Sequence, residues 1–394
     1  MIFSTLQAEI PELEEELDRR LPAFRLEGRP STEQLSAADR WSKAVWATAE
    51  EAGPYPLDSA DLQLGLCLAE RPVFVCGAHR SGTTLVRDLL DGHPQLSVLP
   101  SEGSFLTSLR GKIEALPRAE KLGFLGREWL CRLANPINQA PYWLLDRTTD
   151  SHSPYVRFAR MLLAWGPLVE GHFERKKALS PHIAIALSYA ACPGAPGIRP
   201  TLQRWVDKTP TNEFHLDRLW SELPAAKIIH IVRDPVAVYS SRKRLEERML
   251  GSFATAKSVL EEIAHSLEIA VQNGSRDGRQ DYLLVRYEDL TTKPEEIMGQ
   301  IASFLEIELA PALFCPTVAT MPSYPNSSFP QRGEAGSLFS DANGDRSGNL
   351  TDREQELVAA YTGDFAEALG YPRKPLAVHR KWLLKASLRL SGTG

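Results

Sequence analysis

Residues 71–93, RPVFVCGAHRSGTTLVRDLLDGH, decide the fold of this chain. The uninterrupted apolar run Val73–Cys76 predicts a strand buried on both faces, as in a parallel sheet covered by helices. Residues 85–90 predict a helix with one apolar stripe, and Gly92 followed by Pro94 predicts its end. A strand, a glycine loop and a helix in this order indicate an α/β fold with a P-loop-like parallel sheet flanked by helices.

The loop Gly77–Thr84 has the glycine spacing and the final hydroxyl of a phosphate-binding P-loop, but Thr83 stands where the Walker lysine belongs. Without that lysine, a site for the hydrolysis of ATP or GTP lacks its main contact to the terminal phosphates. The loop amides and the helix N-terminus still predict an anion site. Arg80 adds a guanidinium group suited to a bidentate contact with phosphate or sulfate. From the loop alone, binding of a nucleotide or sulfonucleotide and a tight turn without any ligand both stay open.

Composition places the chain among ordinary globular proteins. Its 394 residues allow one large α/β domain with appendages or two ordinary domains, and the net charge of −5 gives no indication of nucleic-acid binding. Five scattered cysteines without a Cys-x-x-Cys pair predict reduced thiols in a cytosolic setting. The first residues lack the pattern of a secretory signal, and no run of 18 apolar residues occurs, so we expect a cytoplasmic protein without a membrane span.

The hydrophobic pattern divides the chain into three parts. Residues 1–70 predict an N-terminal helical extension. Residues 71–372 predict the α/β domain, with a helical insertion at about 105–200 whose tryptophans we interpret as core residues. Residues 373–394 form a basic C-terminal tail, for which a solvated helix and a contact with anionic lipid or a partner are both open.

Four further runs predict strands of the same sheet: Leu96–Leu99, Gln203–Lys208, Lys227–Val232 and Tyr282–Val285. Ligands bind at the carboxyl ends of parallel strands, so Glu102 and Arg233, which follow two of these runs, are expected at the mouth of the sheet. Three motifs predict helix starts: Asp234 with Pro235, Thr292 with Pro294, and the capping box of Thr351 with Glu354. The segment of residues 316–346 is too long for a loop that only connects two elements, so it predicts a lid or a binding loop.

Four segments in order resemble the sulfotransferases that use 3′-phosphoadenosine 5′-phosphosulfate (PAPS): FVCGAHRSGTTLVRDLLDGHP, WVDKTPTN, KIIHIVRDPVAVYSSR and LLVRYEDL. The resemblance covers residues 71–310 discontinuously. It is closest to bacterial-type members and includes motifs like those of the tyrosylprotein sulfotransferases.

The resemblance implies roles for individual residues. The glycine loop would hold the 5′-phosphosulfate, through Gly77, His79, Arg80, Ser81, Gly82, Thr83 and Thr84. Arg233 and Ser241 would bind the 3′-phosphate of the donor. Arg346 lies in a segment, residues 344–351, that is similar to Gly-Asp-Trp-Lys-Asn-x-Phe-Thr of cytosolic members, and is assigned to donor binding as well.

The implied reaction is an in-line displacement, in which an acceptor hydroxyl attacks sulfur and a phosphate leaves. Arg80 and Lys208 would stabilise the charge that grows on the bridging oxygen, and no metal is expected. Glu102 stands where tyrosylprotein-type members carry a glutamate base, while His79, inside the loop, is the alternative base. The acceptor could be a hydroxyl of a small molecule, a lipid or a sugar.

Two other functions stay open at this point. A kinase or another P-loop phosphotransferase would share the fold, although the missing lysine and the lack of an acidic strand end for magnesium count against it. A catalytically silent binding protein would have little reason to carry Glu102 and Lys208 together.

Overall fold

The computed structural model describes ten stretches of the chain: residues 9–20, 31–134, 143–146, 153–173, 178–193, 196–274, 280–324, 334–337, 350–372 and 374–390. All statements below concern these residues. The expected lid at 316–346 lies largely outside them, as does Arg346.

The centre of the fold is a parallel sheet of five strands in the order β2, β3, β1, β4, β5. All five predicted strands are confirmed: β1 Pro72–Cys76, β2 Leu96–Val98, β3 Arg204–Lys208, β4 Lys227–Val232 and β5 Tyr282–Arg286. β1 pairs with β3 on one side and β4 on the other, with Val75 opposite both Lys208 and Ile229. Because every strand runs in the same direction, the loops after them share one edge of the sheet.

Fifteen α-helices occur among the described residues, and two 3₁₀ helices, Asn212–His215 and Pro311–Phe314, accompany them. The helices are α1 (9–20), α2 Thr32–Ala52, α3 Ser59–Ala69, α4 Thr83–Leu90, α5 Arg110–Ala115, α6 Arg118–Leu133, α7 Pro154–His172, α8 Ser180–Ala190, α9 Leu216–Glu222, α10 Pro235–Leu250, α11 Ala256–Gly274, α12 Tyr287–Thr292, α13 Pro294–Leu305, α14 Asp352–Ala368 and α15 Val378–Leu390. A short antiparallel pair, β6 Thr317–Val318 and β7 Met321–Pro322, follows the second 3₁₀ helix.

The two faces of the sheet carry different helices because successive side chains of a strand point to opposite sides. Phe74 and Cys76 of β1 belong to an apolar cluster with the N-terminal helices and the insertion. Val73 and Val75 belong to a second cluster with α4 and α13. The sheet is therefore covered on both faces, as its continuous apolar strands predict.

The N-terminal helices and the insertion share one hydrophobic core. Trp41 of α2, Trp129 of α6 and Trp165 of α7 are completely buried. The interpretation of the insertion tryptophans as core residues is confirmed for Trp129 and Trp165, while Trp143 is half-buried against the same core. The rings of Trp41 and Tyr155 meet edge to face with centroids 5.1 Å apart. Aromatic pairs in this geometry add to the free energy gained by burial, so α2 and α7 stabilise each other.

All three predicted helix starts are confirmed, with α13 beginning at Pro294, but one of the predicted caps is wrong. Asp234 caps α10 by accepting the N–H of Val236, and Thr351 forms a capping box with Glu354 at the start of α14. The prediction for Thr292 is wrong, because this residue is the last of α12 and its hydroxyl donates to the carbonyl of Glu288.

The β6–β7 pair is fixed to α4, the helix that follows the glycine loop. Asp91 accepts hydrogen bonds from the Thr317 hydroxyl and the Thr320 N–H, both at 2.7 Å. Asp88 accepts one from the Ser323 hydroxyl at 3.0 Å. The first residues of the expected lid are thus anchored to the C-terminal half of α4.

The cysteines and the apolar helices bear on the expectations of reduced thiols and of no membrane span. All five cysteines carry free thiols. Within the described stretches, no helix has the length and apolar character needed to cross a bilayer.

Candidate active site

The loops after β1, β2, β3 and β4 meet at the carboxyl edge of the sheet. They carry the glycine loop (residues 77–84), Glu102, Lys208 and Arg233. Ser241 lies further along, on α10, and is completely buried. Every predicted site residue that the structure describes is therefore located at this edge or on a helix that starts there.

The glycine loop turns in a way that its two glycines permit. Gly77 has φ 142°, and a Cβ there would lie 2.2 Å from the carbonyl oxygen of Ile231. Gly82 has φ 111°, and a Cβ there would lie 2.4 Å from the ring of Tyr287. Both positions combine a positive φ with close approach of a neighbour, so only glycine fits without strain. The loop, called the cradle below, therefore packs closely against β4 and Tyr287 as it leads into α4.

Three consecutive amides at the beginning of the glycine loop are occupied by side chains from elsewhere in the chain. The N–H of Gly77 donates to Glu213 (2.9 Å), that of Ala78 to Ser266 (3.2 Å) and that of His79 to Glu262 (2.8 Å). These bonds fix the first half of the loop from the first 3₁₀ helix and from α11.

The second half of the loop leads into the N-terminus of α4. The first helical bond runs from the N–H of Val86 to the carbonyl of Gly82, so the amides of Thr83 and Thr84 precede the intrahelical ladder. Amides in this position, together with the helix dipole, favour an anion. Ser81 turns its hydroxyl to the carbonyl of Ala78 at 2.6 Å.

Arg80, Ser241 and Arg233 form one cluster. The Nε of Arg80 donates to the Ser241 hydroxyl at 3.1 Å, and Nη1 of Arg233 lies 3.4 Å from the Arg80 carbonyl oxygen. Arg80 itself has φ 75°, a left-handed conformation that is uncommon for a residue with a side chain. The structure thus joins residues of the glycine loop, the end of β4 and α10.

Tyr287 and Glu288, from the RYED motif after β5, support this cluster. The guanidinium of Arg233 stacks over the ring of Tyr287 with its carbon 4.1 Å from the centroid. Glu288 accepts the N–H of Asp234 at 3.0 Å and the hydroxyl of Tyr371 at 2.9 Å. Arg233 is therefore held through its side chain by Tyr287 and through its neighbour's backbone by Glu288.

Glu102 and Lys208 form an ion pair on the other side of the cradle. Nζ of Lys208 donates to Oε1 of Glu102 at 2.7 Å; the lysine side chain is 4% exposed and the glutamate side chain 41%. Burial acts to raise the pKa of Glu102, but the Lys208 ammonium group outweighs it, and the pKa lies below its ordinary value. Glu102 is thus an accessible carboxylate with a buried cation beside it.

Two arginines complete the surroundings of Glu102. Arg132 of α6 donates to the Glu102 carbonyl oxygen, and Arg87 of α4 donates to the Pro100 carbonyl at 2.8 Å. The charges of His79 and Arg87 also lower the pKa of Glu102, though less than Lys208 does.

His79, the alternative base, is bound to an acid on α11. Its Nδ1 lies 2.8 Å from Oε1 of Glu262, the same oxygen that accepts the His79 N–H. Burial acts to raise the pKa of Glu262, but its bonds to His79 outweigh this effect, and the pKa lies below its ordinary value. The His79 side chain is 40% exposed, so its ring reaches solvent at the edge of the loop.

A buried polar chain lies beneath the loop. Ser266 contacts Glu213 at 2.7 Å and His230 at 3.0 Å, and the hydroxyl of Tyr282 lies 2.7 Å from the other nitrogen of His230. Burial raises the pKa of Glu213 to about 7 and lowers that of His230 to about 3. His230 is therefore neutral over the whole physiological range.

Among the described residues, no group of three His, Cys, Asp or Glu side chains could hold a metal ion. His172 bonds to Glu70 at 3.0 Å and His182 is buried, while His152 lies outside the described residues.

Several residues of the site were not found from the sequence. They support the loops from other elements and comprise Asp207, Thr209, Glu213, Glu262, Ser266, Tyr287 and Glu288. Asp207, Thr209, Tyr287 and Glu288 lie inside the quoted WVDKTPTN and LLVRYEDL motifs, which was the one available signal for them. For Glu262 and Ser266, in an ordinary amphipathic helix, the sequence carried no signal.

Comparison with known proteins agrees with this geometry. A profile described as the sulfotransferase family matches residues 72–311, a segment that contains all five strands of the sheet and every predicted site residue that the structure describes. A search of curated protein sequences gives no significant match.

Solved structures that are similar to this chain include the following three. The sulfotransferase domain from the curacin biosynthetic pathway is 18% identical, with a TM-score of 0.40 and coverage of 77% of this chain and 98% of its own. A sulfotransferase of Mycobacterium tuberculosis is 16% identical, with a TM-score of 0.39 and coverage of 79% and 90%. Retinol dehydratase in complex with retinol and PAP is 15% identical, with a TM-score of 0.34 and coverage of 80% and 88%.

Proposed function

Because the chain belongs to the sulfotransferase family, we propose that it moves a sulfuryl group from PAPS to a hydroxyl of a small-molecule, lipid or sugar acceptor. The products are 3′,5′-ADP and a sulfate ester. The reaction takes place in the cytoplasm, which fits the free thiols.

The observation that carries this proposal is the cluster of Arg80, Ser241 and Arg233. PAPS bears phosphate at both the 5′ and the 3′ position, and a protein that selects it needs cationic groups at two places. Arg80 belongs to the anion cradle, and its Nε is bonded to Ser241 while Arg233 lies beside its carbonyl. Two guanidinium groups and a hydroxyl gathered at one place fit one phosphate, and the amides at the start of α4, which follow Arg80 in the chain, fit a second anion.

The glycine loop fits the 5′-phosphosulfate. Its two glycines let the backbone pack closely against β4 and Tyr287, and the amides of Thr83 and Thr84 at the start of α4 precede the intrahelical ladder, where an anion is favoured. In this proposal Gly77, Gly82, Thr83 and Thr84 form the cradle, Arg80 contributes charge, and His79 and Ser81 shape its rim. Arg346, outside the described residues, is retained as a further contact to the 3′-phosphate.

When bound, PAPS supplies the sulfuryl group and the leaving phosphate. Lys208 stabilises the negative charge that develops on the oxygen between phosphorus and sulfur. Glu102 accepts the proton of the acceptor hydroxyl. The two residues are coupled. When the Lys208 ammonium group shifts toward the leaving oxygen, its attraction for the Glu102 carboxylate weakens. The carboxylate then becomes a stronger base.

Binding of 3′,5′-ADP tests the donor assignment directly. We expect calorimetry to show much tighter binding of 3′,5′-ADP than of 5′-AMP, and Arg233→Ala to remove most of the difference. A hydrogen bond to a charged group contributes about 1.5–3 kcal/mol, so one lost contact weakens binding by roughly 10- to 150-fold. Equal affinities of the wild-type protein for the two nucleotides would contradict the proposal.

A transfer assay separates sulfuryl from phosphoryl transfer. The protein is incubated with PAPS carrying radioactive sulfur and with phenol, steroid, lipid and sugar hydroxyl acceptors. We expect transfer that persists in EDTA and no use of ATP as donor. Magnesium-dependent release of ADP from ATP would favour the kinase alternative instead.

A further inference from the structure

The turn that carries Glu102, residues 101–104, is held in a strained conformation. Ser104 has φ 55°, in the left-handed region that side chains other than glycine rarely adopt. Such a residue costs free energy and persists only when its surroundings fix it. The residues that fix this turn therefore also determine where Glu102 points.

Two side chains at the end of β3 bind consecutive amides of the Glu102 turn. Oδ1 of Asp207 accepts the N–H of Gly103 at 2.8 Å, and the hydroxyl oxygen of Thr209 accepts the N–H of Ser104 at 3.1 Å. The Thr209 hydroxyl in turn donates to the Asp207 carboxylate, 3.1 Å from Oδ2. Both acceptors are almost completely buried, Asp207 at 2% exposure and Thr209 at 1%.

The turn has little room to take another position. A Cβ on Gly103 would lie 2.4 Å from the ring of His182 and 2.7 Å from Oδ1 of Asp207. His182 is 1% exposed and its Nε2 lies 3.7 Å from Oδ2 of Asp207. Asn212 donates to the same oxygen at 3.2 Å. The carboxylate of Asp207 is thus fixed by its neighbours while it holds the turn.

Lys208 lies between these two residues and binds Glu102 itself. Three consecutive residues therefore hold the backbone and the carboxylate of the same turn: Asp207 and Thr209 the amides, Lys208 the side chain. The N–H of Thr209 donates to the carbonyl of Val75 at 3.1 Å, in the strand that leads into the glycine loop. Residues 207–209 thus join the Glu102 turn to the glycine loop.

We propose that Asp207 and Thr209 are positioning residues that set the geometry of Glu102 relative to Lys208 and the glycine loop. The inference rests on the proposed function, in which Glu102 is the base. Neither residue touches the reacting atoms in this assignment; each acts through an amide of the Glu102 turn.

The main test compares two variants of one residue. Thr209→Val keeps the shape of the side chain but cannot accept the Ser104 N–H, whereas Thr209→Ser keeps the hydroxyl. We expect single-turnover sulfuryl transfer from PAPS to fall by about 10- to 100-fold in Thr209→Val, because small misplacements of a reacting group have effects of this size. Affinity for 3′,5′-ADP should stay within about twofold of wild type. Thr209→Ser should recover most of the rate.

A second readout does not require activity. The ionisation of Glu102 is followed by carboxyl NMR, with Glu102→Gln to assign its signal. In Thr209→Val the carboxylate should move away from Lys208, so the measured pKa should rise toward its ordinary value. If wild type transfers no sulfuryl group but this pKa rise is seen, the proposed function fails and the positioning role stands.

Thr362→Val provides a control for loss of stability. Thr362, on α14, is 1% exposed and its hydroxyl donates to the Val358 carbonyl at 2.8 Å. We expect this variant to lower the melting temperature without changing the transfer rate or the Glu102 pKa. Thr209→Val with an unchanged Glu102 pKa, or Thr209→Ser as slow as Thr209→Val, would overturn the inference.

Asp207→Asn keeps the proposal testable if Thr209→Val does not fold. The amide oxygen of the new side chain can accept the Gly103 N–H. The side-chain oxygen of Asn212 has no partner in the described part of the chain. Asn212 can therefore rotate so that this oxygen accepts the new N–H. We expect near wild-type transfer from Asp207→Asn and a 10- to 100-fold loss, roughly that of Thr209→Val, from Asp207→Ala. Equal rates in the two Asp207 variants would contradict a role through the Gly103 amide.

Discussion

The glycine loop and the Glu102 turn meet at the same edge of the sheet but are held by different kinds of contact. The glycine loop follows the central strand, and its first three amides are bound by Glu213, Ser266 and Glu262 from below. The Glu102 turn follows an edge strand, and its last two amides are bound by Asp207 and Thr209 at the end of the neighbouring strand.

This difference suggests a division of work in the proposed enzyme. The glycine loop is fixed by three side chains from two other elements, the first 3₁₀ helix and α11, and it presents backbone amides and Arg80, which suits a site that binds the same anion in every cycle. The Glu102 turn presents one accessible carboxylate, 41% exposed, next to a buried lysine. Changes in the turn should therefore affect turnover, and changes around the loop should affect donor affinity or the stability of the fold.

The largest effect is expected for Glu102→Gln. Glutamine preserves the shape of the side chain and can still accept a hydrogen bond from Lys208, but it cannot take the proton of the acceptor. Loss of a general base typically lowers turnover by about 10²–10⁴-fold. Single-turnover transfer from PAPS should fall by this factor while calorimetric affinity for 3′,5′-ADP is unchanged.

His79→Asn is the matched comparison on the loop side. Asn can donate to Glu262 as Nδ1 of His79 does, so the loop geometry should survive and turnover should change little. Near-normal transfer by Glu102→Gln together with an inactive His79→Asn would assign the base to His79 and end the proposed division of work.

The glycine loop could be predicted from the sequence because its strand, its glycines and its helix are contiguous. All five strands were found for a similar reason, since apolar runs in a covered parallel sheet are continuous. The wrong cap at Thr292 shows the limit of local patterns: the preceding residues already form α12, and the hydroxyl bonds back to Glu288.

The supports of both regions could not be predicted because they are distant in sequence. Asp207 is 104 residues from Gly103, and Glu213 is 136 residues from Gly77. Their contacts depend on the order of the strands, which places β3 between β1 and β2. An isolated polar residue after a strand is usually solvated, and only the fold shows that these two are buried acceptors.

The next largest effect concerns the acid beneath the glycine loop. Burial raises the pKa of Glu213 from 4.5 to about 7, so its contribution to stability is fully present below pH 4.5 and is lost as the pH rises through about 7. His230 has the opposite sign: its pKa is lowered from 6.5 to about 3, and its contribution is lost as the pH falls from 6.5 toward 3. The slopes that the two groups give to the free energy of unfolding against pH have opposite signs, so they partly cancel in the wild type.

Glu213→Gln should remove one of these slopes. The amide can still accept the Gly77 N–H but does not titrate, so the variant's free energy of unfolding should rise from pH 5 to pH 7.5 relative to wild type, by up to about 3 kcal/mol. Urea unfolding at both pH values measures the difference. Parallel curves for the two proteins would show that the glycine loop does not rest on a titrating acid.

The smallest effect is expected for Ser241→Ala, which tests whether the glycine loop and the residues proposed to bind the 3′-phosphate act as one site. The Ser241 hydroxyl accepts a hydrogen bond from Arg80 at 3.1 Å, so a contact of Ser241 with the 3′-phosphate would exchange one partner for another. The net loss is then that of an ordinary hydrogen bond, about 0.5–1.5 kcal/mol, or roughly 2- to 12-fold weaker binding of 3′,5′-ADP. Affinity for 5′-AMP, which lacks the 3′-phosphate, should be unchanged in the same calorimetric titration. An equal loss for both nucleotides would instead mean that Ser241 acts only by holding Arg80, and the 3′-phosphate contact would then belong to Arg233 without Ser241.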